Sequence, residues 1–155
     1  MDVMLADAPR PFVLLDRVDT PDPESLRAVR GLQNAPFWHI WEAGAQCVAL
    51  HQRWRCGFAR HAFLLGMAQA PTAAGWQLPP DGLCGELRLT ARLRQQGDGA
   101  ALYELEAIFL PEADAGRAAR GGWEVRIGLC GYDAQFREDI LRPRYEELFR
   151  CLCRG

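Results

Sequence analysis

Polar and apolar positions alternate along much of the chain, and the phase of that alternation divides it into elements. Phe12 to Asp19 is apolar, β-branched at Val13 and Val18, opened by Pro9 and Pro11 and stopped by Pro21 and Pro23. It predicts a strand. Leu26-Arg27-Ala28-Val29-Arg30-Gly31-Leu32 repeats with period two and predicts the second strand of a hairpin. Asn34-Ala35-Pro36 combines a capping-type residue with an early helical proline, so a helix is predicted from Phe37 to Arg55, ending at Cys56-Gly57. Phe37, Ile40, Trp41, Gly44 and Val48 share one of its faces, and Trp38, Ala45 and Ala49 form an adjoining one. Apolar residues therefore cover most of the circumference until Gln52, which predicts a largely buried helix. Gly44 at mid-helix costs about 1 kcal/mol against alanine, so close packing is expected there.

Further strands are predicted at Ala62 to Met67, Gly85 to Arg94, Leu102 to Leu110 and Trp123 to Tyr132, with Gly97-Asp98-Gly99 as a hairpin turn. A turn-rich stretch containing Pro71, Gly75, Pro79, Pro80, Asp81 and Gly82 separates the first of these from the second. Phe136 to Leu152 predicts a short helix with Leu141, Tyr145, Leu148 and Leu152 on one face and Pro143 as an interruption. One buried helix among antiparallel strands requires the sheet to wrap around it, an α+β arrangement. The expected division is a domain over 1–133 and a C-terminal helical extension over 134–155.

The 155 residues, 49% hydrophobic and 25% charged, suit one globular domain, and the apolar runs are too short for a membrane span. A net charge of −2 argues against a nucleic-acid partner. All 18 basic residues apart from histidine are arginine, which rules out a lysine Schiff base. The acidic N-terminus, Met1 to Asp7, lacks the features of a secretory leader. This places the chain in the cytoplasm with its six cysteines as free thiols. Cys151-Leu152-Cys153 has the wrong spacing for a zinc site, and no metal or other cofactor is expected.

Three local matches carry a family resemblance. Pro11-Phe12-Val13-Leu14-Leu15-Asp16-Arg17-Val18 resembles the opening strand P-F-L-L-V-D-R-V of the hot-dog fold 3-hydroxyacyl-(acyl-carrier-protein) dehydratases. Glu42-Ala43-Gly44-Ala45-Gln46 resembles the E-A-M-A-Q of their central helix, and Phe63-Leu64-Leu65-Gly66 resembles their tunnel-lining strand. The likeness is greatest to the predicted thioester dehydratase branch of aryl-polyene-type gene sets, where an R-x-G-F-L-L-G segment matches Arg60 to Gly66 here. The resemblance implies a hot-dog dimer with a continuous sheet and an active site at the dimer interface. A histidine from one subunit would face the helix carboxylate of the other. The substrate would be an acyl-carrier-protein or coenzyme A thioester. Glu42 would be catalytic, the Gly66 N–H would polarise the thioester carbonyl, and Phe63, Leu65, Gln46 and Trp38 would line the substrate site.

The sequence departs from that pattern at one place. The family's histidine lies in a loop reading like H-F-P-G-x-P-x-x-P-G before the helix, and here only Gln33-Asn34-Ala35-Pro36 separate Leu32 from Phe37. β-Elimination needs both a base and an acid. His39, three residues before Glu42, lies on the same side of the helix, with Gln46 one turn further on. His39 and Glu42 read either as a second acid/base group beside a carboxyl in apolar surroundings, or as packing residues with buried partners. Gly66 reads either as the carbonyl-binding N–H or as a site of close helix–strand approach. Arg53, Arg55 and Arg60 read as a solvated face or as a surface for an acidic carrier protein, and His51 and His61 as packing or surface residues. Three functions stay open: a dehydratase, a catalytically poor hot-dog subunit that pairs with a complete dehydratase partner or binds acyl chains, and a thioesterase using one carboxylate to activate water; the expected partner is a second hot-dog subunit, in a homodimer or heterodimer.

Overall fold

The computed structural model describes residues 13–114 and 116–155. Its elements are β1 (Arg17–Val18), β2 (Ser25–Ala35), α1 (Trp38–Arg55), β3 (His61–Ala68), β4 (Leu83–Gln96), β5 (Ala100–Pro111), β6 (Ala119–Cys130) and α2 (Glu138–Arg154). The strands form one antiparallel sheet in the order β1-β2-β4-β5-β6-β3. The alternation seen in the sequence sets its inner face: Leu87, Leu89 and Ala91 of β4, Tyr103, Leu105, Ala107 and Phe109 of β5, and Trp123, Val125 and Ile127 of β6 are buried together. Against them lie Ile40, Ala43, Gly44, Cys47 and Val48 of α1.

Gly44 explains how closely helix and sheet approach. A Cβ there would stand 2.3 Å from Leu105 Cδ2 and 3.0 Å from Trp123 Cζ2. The helix ends as its glycine requires. Gly57 has φ +60°, its N–H donates to the Trp54 carbonyl, and the Phe58 N–H reaches back to the Arg53 carbonyl. That pairing is a Schellman motif, which satisfies carbonyls the helix leaves open.

Several boundaries differ from the sequence reading, each for a local reason. Pro9, Pro11 and Phe12 lie outside the described residues. Of the predicted first strand only Arg17–Val18 is extended pairing. Leu14 and Leu15 are both buried, which a period-two strand does not allow, and the Leu14 N–H is taken by a helix side chain, Gln46 Oε1, at 2.8 Å. Asn34 does not cap α1. It adopts φ +49° within β2, and Phe37 occupies the cap position with its N–H bonded to the Pro80 carbonyl. β6 begins four residues earlier than predicted, because Gly121 and Gly122 pair with Ala107 and Glu106 despite having no side chains to show alternation. The predicted C-terminal helix is present, shifted by two residues, and Pro143 does not interrupt it. α2 runs for 17 residues through Pro143, with Arg142 paired to Glu138 and Glu146 around it.

α2 crosses the C-terminal end of α1. Phe136, just before it, stacks on His61 of β3 at 4.5 Å. Tyr145 Oη lies 3.0 Å from His61 Nδ1, and its ring lies 3.9 Å from the Arg53 guanidinium. Phe149 packs on Phe58, Leu152 enters the core, and Gly155 lies against Arg17 of β1.

Candidate functional site

α1 turns one side away from the sheet. Trp38 is 52% exposed there, and Glu42 is exposed one turn on. Ala45 and Ala49 continue this side but are buried, so the uncovered part is its N-terminal half. Glu42 is oriented by its own helix. Gln46 Nε2 donates to Glu42 Oε1 at 3.1 Å, while Gln46 Oε1 accepts the Leu14 N–H. The Leu14 bond settles which end of the amide faces Glu42, so Gln46 acts on the carboxylate as an orienting donor.

His39 sits one turn before Glu42, edge-to-face with Trp38 at 4.3 Å. Its Nδ1 is buried without a hydrogen-bond partner among the described residues. Burial first, then the positive charge of Arg30, holds His39 below the ordinary imidazole value, while Glu42 pulls the other way. The imidazole is therefore neutral at pH 7, the form that accepts a proton.

β3 flanks the same helix and runs antiparallel to it. At one end Arg53 Nη2 donates to the Ala62 carbonyl at 3.0 Å, and beyond the other Trp41 Nε1 donates to the Pro71 carbonyl at 2.7 Å. β3 is a sheet edge, paired only with β6. A bulge places Leu64 opposite Ile127 and Gly66 opposite Arg126, leaving Leu65 unpaired and 55% exposed. A Cβ on Gly66 would meet nothing within 4 Å, so close helix–strand approach does not explain this glycine. Phe63 sits over Gly128, on the sheet face turned away from α1, whereas Leu64 shares the Ile127 side and is 42% exposed.

The structure thus gathers Trp38, His39, Glu42 and Gln46 on one helix face, sets Leu64, Leu65 and Gly66 along the neighbouring edge, and puts Phe63 on the other side of the sheet. The arginines at the helix end are internally engaged. Arg53 bonds Ala62, Arg55 bonds Gln96 at 2.5 Å, and Arg60 bonds the Asp98 and Leu129 carbonyls. Arg55 nevertheless stays exposed. A depression of about 770 Å³ lined by Tyr132, Asp133, Arg137 and Asp139 lies at the start of α2 and includes none of the candidate residues.

Two residues missed in the sequence belong here. Arg30 falls in phase with Leu26, Ala28 and Leu32 on the α1 side of β2, and Asp16 accepts from its Nη1 at 2.9 Å. A charged residue at a core-phase position was the available signal. Among the described residues no cluster of three or more His, Cys, Asp or Glu is placed to hold a metal ion, and no helix is long and apolar enough to cross a membrane.

No family model matches the chain, and no curated protein does. Solved structures do. The dehydratase heterocomplex ApeI:P from Xenorhabdus doucetiae superposes with a TM-score of 0.57 at 14% identity, over 81% of this chain and 87% of that one. The E. coli PaaI protein from the phenylacetic acid degradation operon gives 0.57 at 12% identity, over 84% and 89%. The Q49A mutant of thioesterase PA1618 from Pseudomonas aeruginosa gives 0.57 at 12% identity, over 84% and 90%. At these identities the likeness shows the fold: the chain has the hot-dog fold, with an antiparallel six-stranded sheet around α1 and an added C-terminal helix.

Proposed function

We propose that the chain is an acyl-thioester-processing hot-dog subunit of the 3-hydroxyacyl dehydratase type, completed by pairing with a second hot-dog chain across β3. The observation that carries this reading is the position of Glu42. It is oriented by Gln46 and neighboured by a neutral His39, yet it stands open to solvent on a helix side that the described residues leave uncovered. Acid/base chemistry on an acyl chain requires water to be excluded, and a second subunit against β3 and α1 supplies that cover. Leu64 and Leu65 at an unpaired edge support the pairing, since exposed apolar edges are pairing surfaces. A dehydratase heterocomplex among the structural neighbours supports it further. Glu42 and His39 divide the acid and base roles that the missing loop histidine would otherwise share.

A thioesterase reading is equally supported by the structural neighbours. A single exposed carboxylate held by an amide suffices to activate water, and two of the structural neighbours are thioesterases. Incubating the purified protein with a 3-hydroxyacyl carrier-protein thioester and weighing the products separates the two. Loss of water with the thioester intact supports the dehydratase. Free acid supports the thioesterase. An unchanged substrate in both the isolated protein and its mixture with a hot-dog partner refutes both.

A further inference from the structure

Of four side-chain nitrogens buried without a partner among the described residues, two flank the candidate site. Arg30 Nε comes from β2 and His39 Nδ1 from α1. A buried donor left unmade costs stability, and folded proteins keep few of them. Arg30 is also out of place by pattern: it shares the inner side of β2 with Leu26, Ala28 and Leu32, and its cross-strand neighbour Leu87 is fully buried. Asp16 engages one end of it. Asp16 Oδ1 accepts from Arg30 Nη1 at 2.9 Å while Oδ2 accepts the Gly31 N–H at 2.6 Å. The guanidinium is thereby anchored, and its Nε–H is left unused.

We propose that Arg30, held by Asp16, binds the carbonyl oxygen of the acyl thioester through its Nε–H, beside His39, once the groups that seal this nitrogen in the free chain move aside. The proposal rests on the acyl-thioester reading above. An acceptor oxygen satisfies the orphaned donor, and a neutral carbonyl suits the place better than a carboxylate because Asp16 and Glu42 already bring negative charge. A fixed cation at that oxygen stabilises the negative charge that grows there when the α-proton is removed or the carbonyl is attacked. The rival oxygen binder is the Gly66 N–H on β3. Arg30 and Gly66 belong to opposite ends of the sheet order, so they place the thioester on different flanks of Glu42.

The probe is the ketone analogue of butyryl-pantetheine in which a methylene replaces sulfur, carrying 13C at the carbonyl. It can be neither hydrolysed nor dehydrated. On the full-length protein its carbonyl resonance is expected to move downfield, with His39 ring signals shifting at saturation. Arg30→Lys, which keeps the charge and removes the Nε–H, is expected to lose most of the downfield shift and to bind about tenfold more weakly. An undiminished shift in Arg30→Lys overturns the proposal and hands the oxygen to another donor, Gly66 first, while leaving the functional reading standing. Should that variant fail to fold, Asp16→Asn, which slackens the anchor, is expected to reduce the shift, and an unchanged shift there overturns the proposal as well. Absence of any binding to the unaltered protein, together with no turnover of acyl thioesters, removes the functional reading and the proposal with it.

Discussion

His51 Nδ1 lies 2.6 Å from the Tyr103 hydroxyl, inside the core and shut off from solvent. The proton arrangement follows from the partners. His51 Nε2 faces the Asp22 carbonyl at 2.8 Å, which only accepts, so Nε2 carries the hydrogen. Tyr103 then donates to Nδ1 and itself accepts from Gln52 Nε2 at 2.6 Å. Burial, with the Arg55 charge, holds His51 below its ordinary value, against the Asp22 carbonyl and carboxylate. Unfolded, it takes its proton near pH 6.5; folded, only lower. Between those points the unfolded chain binds more protons, so stability is complete above about pH 6.5 and falls as pH drops toward the folded value. His39 and His61 are shifted the same way and add to the slope. The urea midpoint is expected to fall between pH 7.5 and 5, and less steeply in His51→Gln. A midpoint flat across that range would refute this.

Tyr103→Phe keeps the ring and removes the hydroxyl. It strands His51 Nδ1 and takes one of two acceptors from Gln52, whose other is Gln96 Oε1 at 2.8 Å. The expected loss is about 1–3 kcal/mol, read by urea unfolding, with β-sheet circular dichroism unchanged. A loss under half of that would mean the network carries little.

Gly44→Ala sets two effects against each other. Alanine gains about 1 kcal/mol in helix propensity, but its methyl would meet Leu105 Cδ2 at 2.3 Å within a closed core. Overpacking of that kind costs about 1–3 kcal/mol, so the variant is expected to be less stable. Adding Leu105→Ala makes room, and the pair should lose less than the sum of the two single changes. Strict additivity would place the clash elsewhere.

Glu42→Gln tests the carboxylate where it costs the fold least. The residue is exposed, so the unfolding free energy should move by less than about 0.5 kcal/mol. Turnover of the acyl thioester is expected to drop at least about 100-fold. Full activity in the variant removes Glu42 from the chemistry.

Leu65→Glu places a charge on the bulge of the open edge. The side chain is 55% exposed in the single chain, so monomer stability should hold. Light scattering is expected to show the paired species of the unaltered protein replaced by single chains. A paired species that survives the change would move the contact away from β3.

The element order was legible because most of the sheet is amphipathic with period two. Leu87, Leu89 and Ala91 announced the inner side of β4 without help from elsewhere. The turn at Gly97 to Gly99 was equally plain, and the Gly97 N–H closes it on the Ala100 carbonyl. Polar residues used inside the protein were not legible. Gln52 looked like the start of the wet part of α1, yet it is buried because Tyr103 and Gln96, 51 and 44 residues away in sequence, meet its amide. Arg30 looked like one half of an alternation, and only its phase betrayed that it faces inward. Pro143 should break a helix, but the ion pairs of Arg142 and the docking of Tyr145, Phe149 and Leu152 hold α2 together around it. For the candidate site, the sequence supplied Glu42, His39 and Gln46 on one face. It left unseen which side of β3 each residue takes, since the bulge at Leu65 resets the alternation.

Phe136, just before α2, and Tyr145, midway along it, both meet His61 on β3, and Gly155, just after it, lies against Arg17 on β1; those strands are the two opposite margins of the sheet. A 17-residue helix is about 25 Å long. The helix therefore ties the two margins together behind α1, and opening the curled sheet at that end would have to break the His61 and Arg17 contacts first. The opposite end, between the N-terminal turns of α1 and β3, where Trp38 and Glu42 stand, carries no such tie from α2.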